Sequence, residues 1–236
     1  MNENPIKEII FSISFAENVD IKNLDRFVKK SEIKKAFPIS KKGYNANLKA
    51  DIKNEKETPI TDIQRNGYIL KSDEPHNKIL QVRKGMFAFH KTREYKSYEE
   101  LIPELNLYWQ LLQSCAKRLT VTNVSLRYLN FIEIENQSKF KEYVTIETKS
   151  PFKDIDSSFT SFNFNVDTNS NTDVKIIVAK GVDGTKNGII LDIILNRHFK
   201  NKTFCNISDA FNDMRKYKND IFEKCITKKT KNKYQL

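Results

Sequence analysis

Arg127, Tyr128 and Asn130 place polar groups inside an otherwise apolar run, Val124-Ser125-Leu126-Arg127-Tyr128-Leu129-Asn130-Phe131-Ile132. Side chains alternate between the two faces of a strand, so Arg127 shares a side with Leu129 and Phe131, and Tyr128 with Asn130. An Arg and a Tyr presented on a sheet can contact phosphate and stack on a base. The competing reading pairs Arg127 with a carboxylate such as Glu133, and uses Tyr128 and Asn130 to tie down a helix, because buried polar groups find partners. A second group is basic. Arg26, Lys29, Lys30, Lys34 and Lys35 recur at three-to-four spacing, which predicts one stripe along a helix, extended by Lys41 and Lys42. Such a stripe suits nucleic acid or an acidic protein, and equally a solvated helix face.

Catalytic constellations are harder to assemble. His76, His90 and His198 stand at no metal-ligand spacing with one another or with Cys. Arg83 and His90 have the separation of a helical Arg-to-His ribonuclease pair, but the residues between them read as strand, which removes that geometry. Glu147-Thr148-Lys149 and Asp173-Val174-Lys175 each carry the acidic-x-Lys core of metal-dependent nucleases, a triplet that recurs by chance in a chain with 30% charged residues. Gly181-Val182-Asp183-Gly184 lacks the Lys-Ser/Thr ending of a phosphate loop and precedes a strand, so it reads as a hairpin turn. No Gly-x-Ser-x-Gly elbow occurs. Neither catalytic residues nor a cofactor or metal is assigned.

The elements that would position these groups follow from composition and periodicity. The 236 residues include 16 Phe and 9 Tyr, too much apolar content for a disordered chain. The formal charge is +11, spread over both halves, and favours polyanions or an acidic protein surface. The abundance of Lys with Asn and Ile also follows from AT-rich codons. Cys115, Cys205 and Cys225 form no framework and read as free thiols in a reducing cytosol. No apolar run approaches the ~18 residues that span a membrane, and the N-terminus has no signal core, so a cytoplasmic chain is expected.

Ile9, Phe11, Ile13 and Phe15 alternate as a strand, and a helix is predicted from Ile21 to about Phe37, stopped by Pro38. Extended stretches follow near 44–52, 67–71 and 79–90, with a polar loop at 53–63 and a turn at 73–77. Ser97-Tyr98-Glu99-Glu100 is a capping box that opens a long helix with Leu101, Leu105, Tyr108, Leu112 and Cys115 along one stripe. Beyond it come a strand at 124–134, a short helix near 138–143, strands at 159–167, 174–180 and 188–199, and a helix from Asn206 to Cys225. The lysine-rich residues 228–236 read as a frayed tail.

Residues 1–118 and 119–227 thus repeat one order. The expected fold is α+β: two similar β-α-(β)n-α halves, separate or joined in one composite domain, forming a curved antiparallel sheet or sheets with long helices packed on one face. That topology resembles the saddle of TATA-binding-protein-like and helix-grip folds.

Several segments also resemble a sporadically distributed, uncharacterised prokaryotic family of mobile-island and defence contexts. They are the opening Asn4-Pro5-Ile6-Lys7-Glu8-Ile9-Ile10-Phe11, the element Ser97-Tyr98-Glu99-Glu100, and the strand Val124-Ser125-Leu126-Arg127-Tyr128-Leu129-Asn130-Phe131. Ile190-Leu191-Asp192-Ile193 and the ending Ile221-Phe222-Glu223-Lys224-Cys225-Ile226-Thr227 complete the set. Ser125, where Gly is expected, and the basic balance depart from the pattern. The resemblance implies a defence or toxin–antitoxin-like setting and assigns no catalytic residues. The expected function is non-enzymatic recognition of a protein partner. Its alternatives are a basic, saddle-like nucleic-acid binder and a metal-dependent nuclease. Arg26, Lys29, Lys30, Lys34, Lys35, Arg127 and Tyr128 are the candidate contacts.

Overall fold

A computed structural model of the protein describes residues 4–47, 62–75, 77–116, 119–136, 139–146, 159–167, 171–199 and 206–236. The strands are β1 (Ile6–Phe15), β2 (Ile39–Asn47), β3 (Asp62–Lys71), β4 (Lys78–Arg83), β5 (Met86–Thr92), β6 (Val121–Glu133), β7 (Phe159–Asp167), β8 (Thr172–Asp183) and β9 (Lys186–His198). They form one nine-stranded sheet in the order β2-β3-β4-β5-β1-β6-β9-β8-β7, and every pairing is antiparallel. The helices are α1 (Ile21–Val28), α2 (Ser31–Ala36), α3 (Tyr98–Cys115), α4 (Phe140–Tyr143), α5 (Ile207–Cys225) and α6 (Lys228–Tyr234).

This corrects the expected architecture. The molecule is mostly one large sheet with few helices, and only α3 and α5 exceed eight residues. The sheet is continuous because β1 and β6 each pair on both edges and with each other, Phe11 opposite Leu126 and Ile13 opposite Val124. Strands from before and after Arg118 therefore share one hydrogen-bonded ladder, and their buried side chains belong to one cluster.

Burial alternates along β1 as its pattern requires. Ile9, Phe11, Ile13 and Phe15 are buried, while Glu8, Ile10, Ser12 and Ser14 keep partial exposure. The buried face meets the helices through aromatic packing. Phe11 contacts Phe211 of α5 edge-on at 5.2 Å, and Phe89 and Phe87 contact Tyr108 and Trp109 of α3 at 5.5 and 5.6 Å. Truncating one such fully buried Phe to Ala costs about 3–5 kcal/mol, so these contacts anchor both long helices.

Local chemistry explains most of the boundaries. Ser97 accepts a hydrogen bond from the Glu100 amide at 3.2 Å and caps α3, and Asn206 caps α5 by accepting from Ser208. Three readings change. The helix expected over 21–37 breaks into α1 and α2, with Lys30 in an extended conformation before Ser31. The extended stretch 79–90 is a hairpin, β4 and β5, turning at Lys84-Gly85. The lysine-rich end is not frayed: α6 is capped by Thr227 and buries Thr230 and Tyr234, four residues apart on one face.

Candidate functional site

The sheet face opposite the helices is where the polar residues of the strands converge. Strand register sets them in rows. One row runs Gln81, Ala88, Ser12, Ser125, Asn196, Asp173 from β4 to β8, and its three central side chains are small. The next row runs Ile79, His90, Ile10, Arg127, Ile194, Lys175. Beyond that, Glu8, Leu129, Asp192 and Ile177 follow across β1, β6, β9 and β8. The result is a shallow, small-residue band bordered by charged groups.

Arg127 is the best-fixed of these. Its Nε donates to Oδ1 and Oδ2 of Asp192 at 2.9 and 3.1 Å, and its Nη2 donates to Oδ2 at 2.7 Å. Asp192 is buried, whereas the Arg127 side chain keeps 40% of its exposure. This side-on fork occupies one edge of the guanidinium and leaves Nη1 without a protein acceptor among the described residues. Hydrogen bonding to Asp192 raises the Arg127 pKa further, against the opposing effect of burial. Arg127 is thus a permanently charged, oriented donor on a partly exposed face.

His90 is held as firmly, in a chemically quiet state. Its Nδ1 lies 2.8 Å from Glu8 Oε1, and its Nε2 lies 3.3 Å from the Gln81 amide nitrogen. The donor capacity of that amide assigns the proton to Nδ1, donating to Glu8, with Nε2 accepting from Gln81. Both ring nitrogens are occupied, so no hydroxyl or thiol shares the imidazole. His198 is exposed and lies 3.1 Å from Asp173, which also accepts from Asn196. Among the described residues no group of three or more His, Cys, Asp or Glu could hold a metal. His76 and the triplet 147–149 lie outside the described residues. Asp173 and Lys175 face the same side of β8, two positions apart.

The remaining candidate contacts separate from Arg127. Tyr128 is 1% exposed on the opposite face, covered by α5, where the Lys218 ammonium sits 4.2 Å from its ring centroid. Burial, with Tyr95 and Tyr98 nearby, pushes the Tyr128 phenol well above its usual range. Tyr128 therefore packs the core, and Asn130 behind it donates to the Tyr128 and Leu191 carbonyls. Lys218 has Arg215 and the Glu223 carboxylate as charged neighbours, and burial pushes its pKa down to about 8. Arg26, Lys29, Lys34 and Lys35 are exposed and Lys30 is half-buried. Arg26 lies in α1 and Lys34 and Lys35 in α2, with Lys29 and Lys30 as the caps between them, so no single helix carries the stripe.

Sequence reasoning missed Asp192, Glu8, Ser12 and Gln81 as members of this surface. One signal was available: Ile189-Ile190-Leu191-Asp192-Ile193-Ile194-Leu195 isolates a carboxylate in an apolar strand, and such a group must find a cation. No helix among the described residues is long and apolar enough to cross a membrane. No family model matches the chain, and no curated protein matches it in sequence.

Proposed function

We propose that this chain is a non-enzymatic binding protein whose sheet face opposite the helices recognises a protein partner. The supporting observation is Arg127, held side-on by buried Asp192 beside a band of small residues, so that a donor is fixed in advance while its side chain keeps 40% of its exposure. The central rows carry Arg127 and Lys175 against Glu8, Asp192 and Asp173, a balance that suits mixed protein surface better than a phosphate backbone. The resemblance supports a setting in a prokaryotic defence or toxin–antitoxin-like module, and the free thiols Cys115 and Cys225 suit a reducing cytoplasm. A second reading, nucleic-acid binding, draws on the exposed cations Arg26, Lys29, Lys34 and Lys35.

The two are separated by affinity capture of the tagged protein from its host at ~0.15 and ~0.5 M salt, where screening differs. A stoichiometric protein retained at both salts is expected, with capture reduced at least ~10-fold by Ser125→Trp and by Arg127→Leu/Asp192→Leu. The double substitution removes both charges and leaves no buried carboxylate unpaired. Nucleic acid that leaves at the higher salt, or a protein retained equally by both variants, would overturn the assignment.

A further inference from the structure

At the end of the sheet, where the β4–β5 turn approaches the distorted β2–β3 ladder, lies a cleft of about 480 Å³. An adjoining cleft of about 180 Å³ shares Asn45, Asn66 and Arg83 with it. Their linings include Arg83, Lys84 and the amides of Asn45, Gln64 and Asn66, and no carboxylate. Arg83 and Lys84 have no carboxylate partner among the described residues. Arg83 is exposed and donates only a 3.4 Å contact to Gln81.

The walls of the cleft are rigid. The Lys84 amide donates to the Asn66 carbonyl at 3.1 Å, and the Lys84 carbonyl accepts from Val19 at 2.7 Å. Gly85 accepts from Phe15 at 3.1 Å, so the turn carrying both cations is pinned on three sides. Opposite it, a register shift between Gly43 and Tyr44 re-aims the following residues. Gly67 is required there, since a Cβ would fall 2.0 Å from the Val82 carbonyl oxygen. Arg65, in the cleft wall, uses its Nη2 on Asp25 and Tyr68, while its Nε is buried without a hydrogen-bond partner. The Arg65 charge is therefore spent on Asp25, and the cations left for a ligand are Arg83 and Lys84, whose excess over carboxylates in the lining favours an anion. At its rim, Tyr44 is 58% exposed and presents a phenol ring to the smaller cleft.

We propose that this cleft binds a small phosphate ester bearing a planar ring, the chemistry of a nucleotide. Arg83 and Lys84 take the phosphate, the Asn45 amide nitrogen, whose oxygen is held by Asn66 at 3.0 Å, takes a remaining oxygen or the sugar, and Tyr44 stacks against the ring. Cations and amide donors supply charge-assisted hydrogen bonds, an exposed aromatic face accepts any base, and the volume is in the range of small-ligand sites. This site does not depend on the partner surface around Arg127.

The test is calorimetric titration of the full chain with adenosine 5′-monophosphate, inorganic phosphate and adenosine. The monophosphate is expected to bind more tightly than either of its parts. Arg83→Ala/Lys84→Ala should weaken it at least ~10-fold, equivalent to the loss of one charge-assisted contact. Tyr44→Ala should weaken the monophosphate while leaving inorganic phosphate unchanged, and Ser125→Trp, away from the cleft, should change neither. Unaltered melting curves for these surface variants keep loss of binding distinct from loss of fold. Absence of binding at millimolar monophosphate, or equal affinity in the double variant, would overturn the proposal. Inorganic phosphate that binds as tightly as the monophosphate, with no effect of Tyr44→Ala, would replace the nucleotide by a simple anion.

Discussion

Lys218 shows how a single residue can work against the fold that contains it. Its ammonium is buried over the Tyr128 and Phe222 rings, with Arg215 nearby opposing the charge and the Glu223 carboxylate favouring it. Its pKa falls from 10.5 in the unfolded chain to about 8 in the folded one. Between these values the folded state binds fewer protons, so stability rises with pH through that window. Below pH 8 both states are protonated and the cost is fully present, on the order of 3 kcal/mol before the ring contacts offset part of it. Lys218→Met is therefore expected to be the more stable protein at pH 7, by about 1–3 kcal/mol. The gap should close as pH approaches 10, which urea unfolding at several pH values would measure. A variant less stable at pH 7 would contradict this account. Nothing local in the sequence announced it: Lys218 follows Tyr217 in a helix rich in Lys, and only the sheet beneath decides which Lys is buried. Arg127 was legible as a polar residue in an apolar strand, but its partner was not. Asp192 lies 65 residues away, and only the β6–β9 register brings it diagonally across.

At the scale of elements, α6 tests how a charged segment earns its structure. It holds four Lys in seven residues, yet Thr230 donates to the Tyr143 carbonyl at 2.5 Å and the Tyr234 hydroxyl accepts from the Glu133 amide at 3.0 Å. Tyr234→Ala should release α6 with a local loss of about 1–3 kcal/mol. Hydrogen exchange would then show amides 230–234 losing protection while β1 and β6 keep theirs. Retained protection in α6 would mean that its Lys229–Glu142 and Lys231–Glu223 pairs are sufficient. Elements with strong periodicity, such as α3, α5 and β1, were readable because their apolar residues recur at one spacing throughout. The α1–α2 break and the Lys84-Gly85 turn were not, for a common reason. In both, apolar residues continue on either side of a two-residue interruption, and only the tertiary contacts of Val19 and Asn66 with Lys84, or of Ile33 with the core, show that the backbone changes direction.

Across the whole molecule, the β1–β6 pairing decides how the sheet behaves. Phe11 and Leu126 face each other at that seam, both fully buried, and the α3 and α5 side chains meet above it. With one core cluster spanning the seam, unfolding is expected to be a single cooperative transition. Trp109 fluorescence, reporting on β5 and α3, and exchange of β8 and β9 amides should give coincident midpoints in urea. Separate midpoints would show two units that melt independently. The seam was invisible to sequence reasoning because strand pairing between distant segments leaves no periodic signature, and so one continuous sheet and separate sheets both stayed open. The Arg127–Asp192 fork next to that seam also limits how the protein can diverge. Loss of Arg127 strands a buried carboxylate, and loss of Asp192 frees a guanidinium that no longer has an orientation, so either first step carries a cost before the second repairs it. The two positions are heritable as a unit, while Ser12 and Ser125 beside them can vary one at a time. Specificity can drift around a fixed charge.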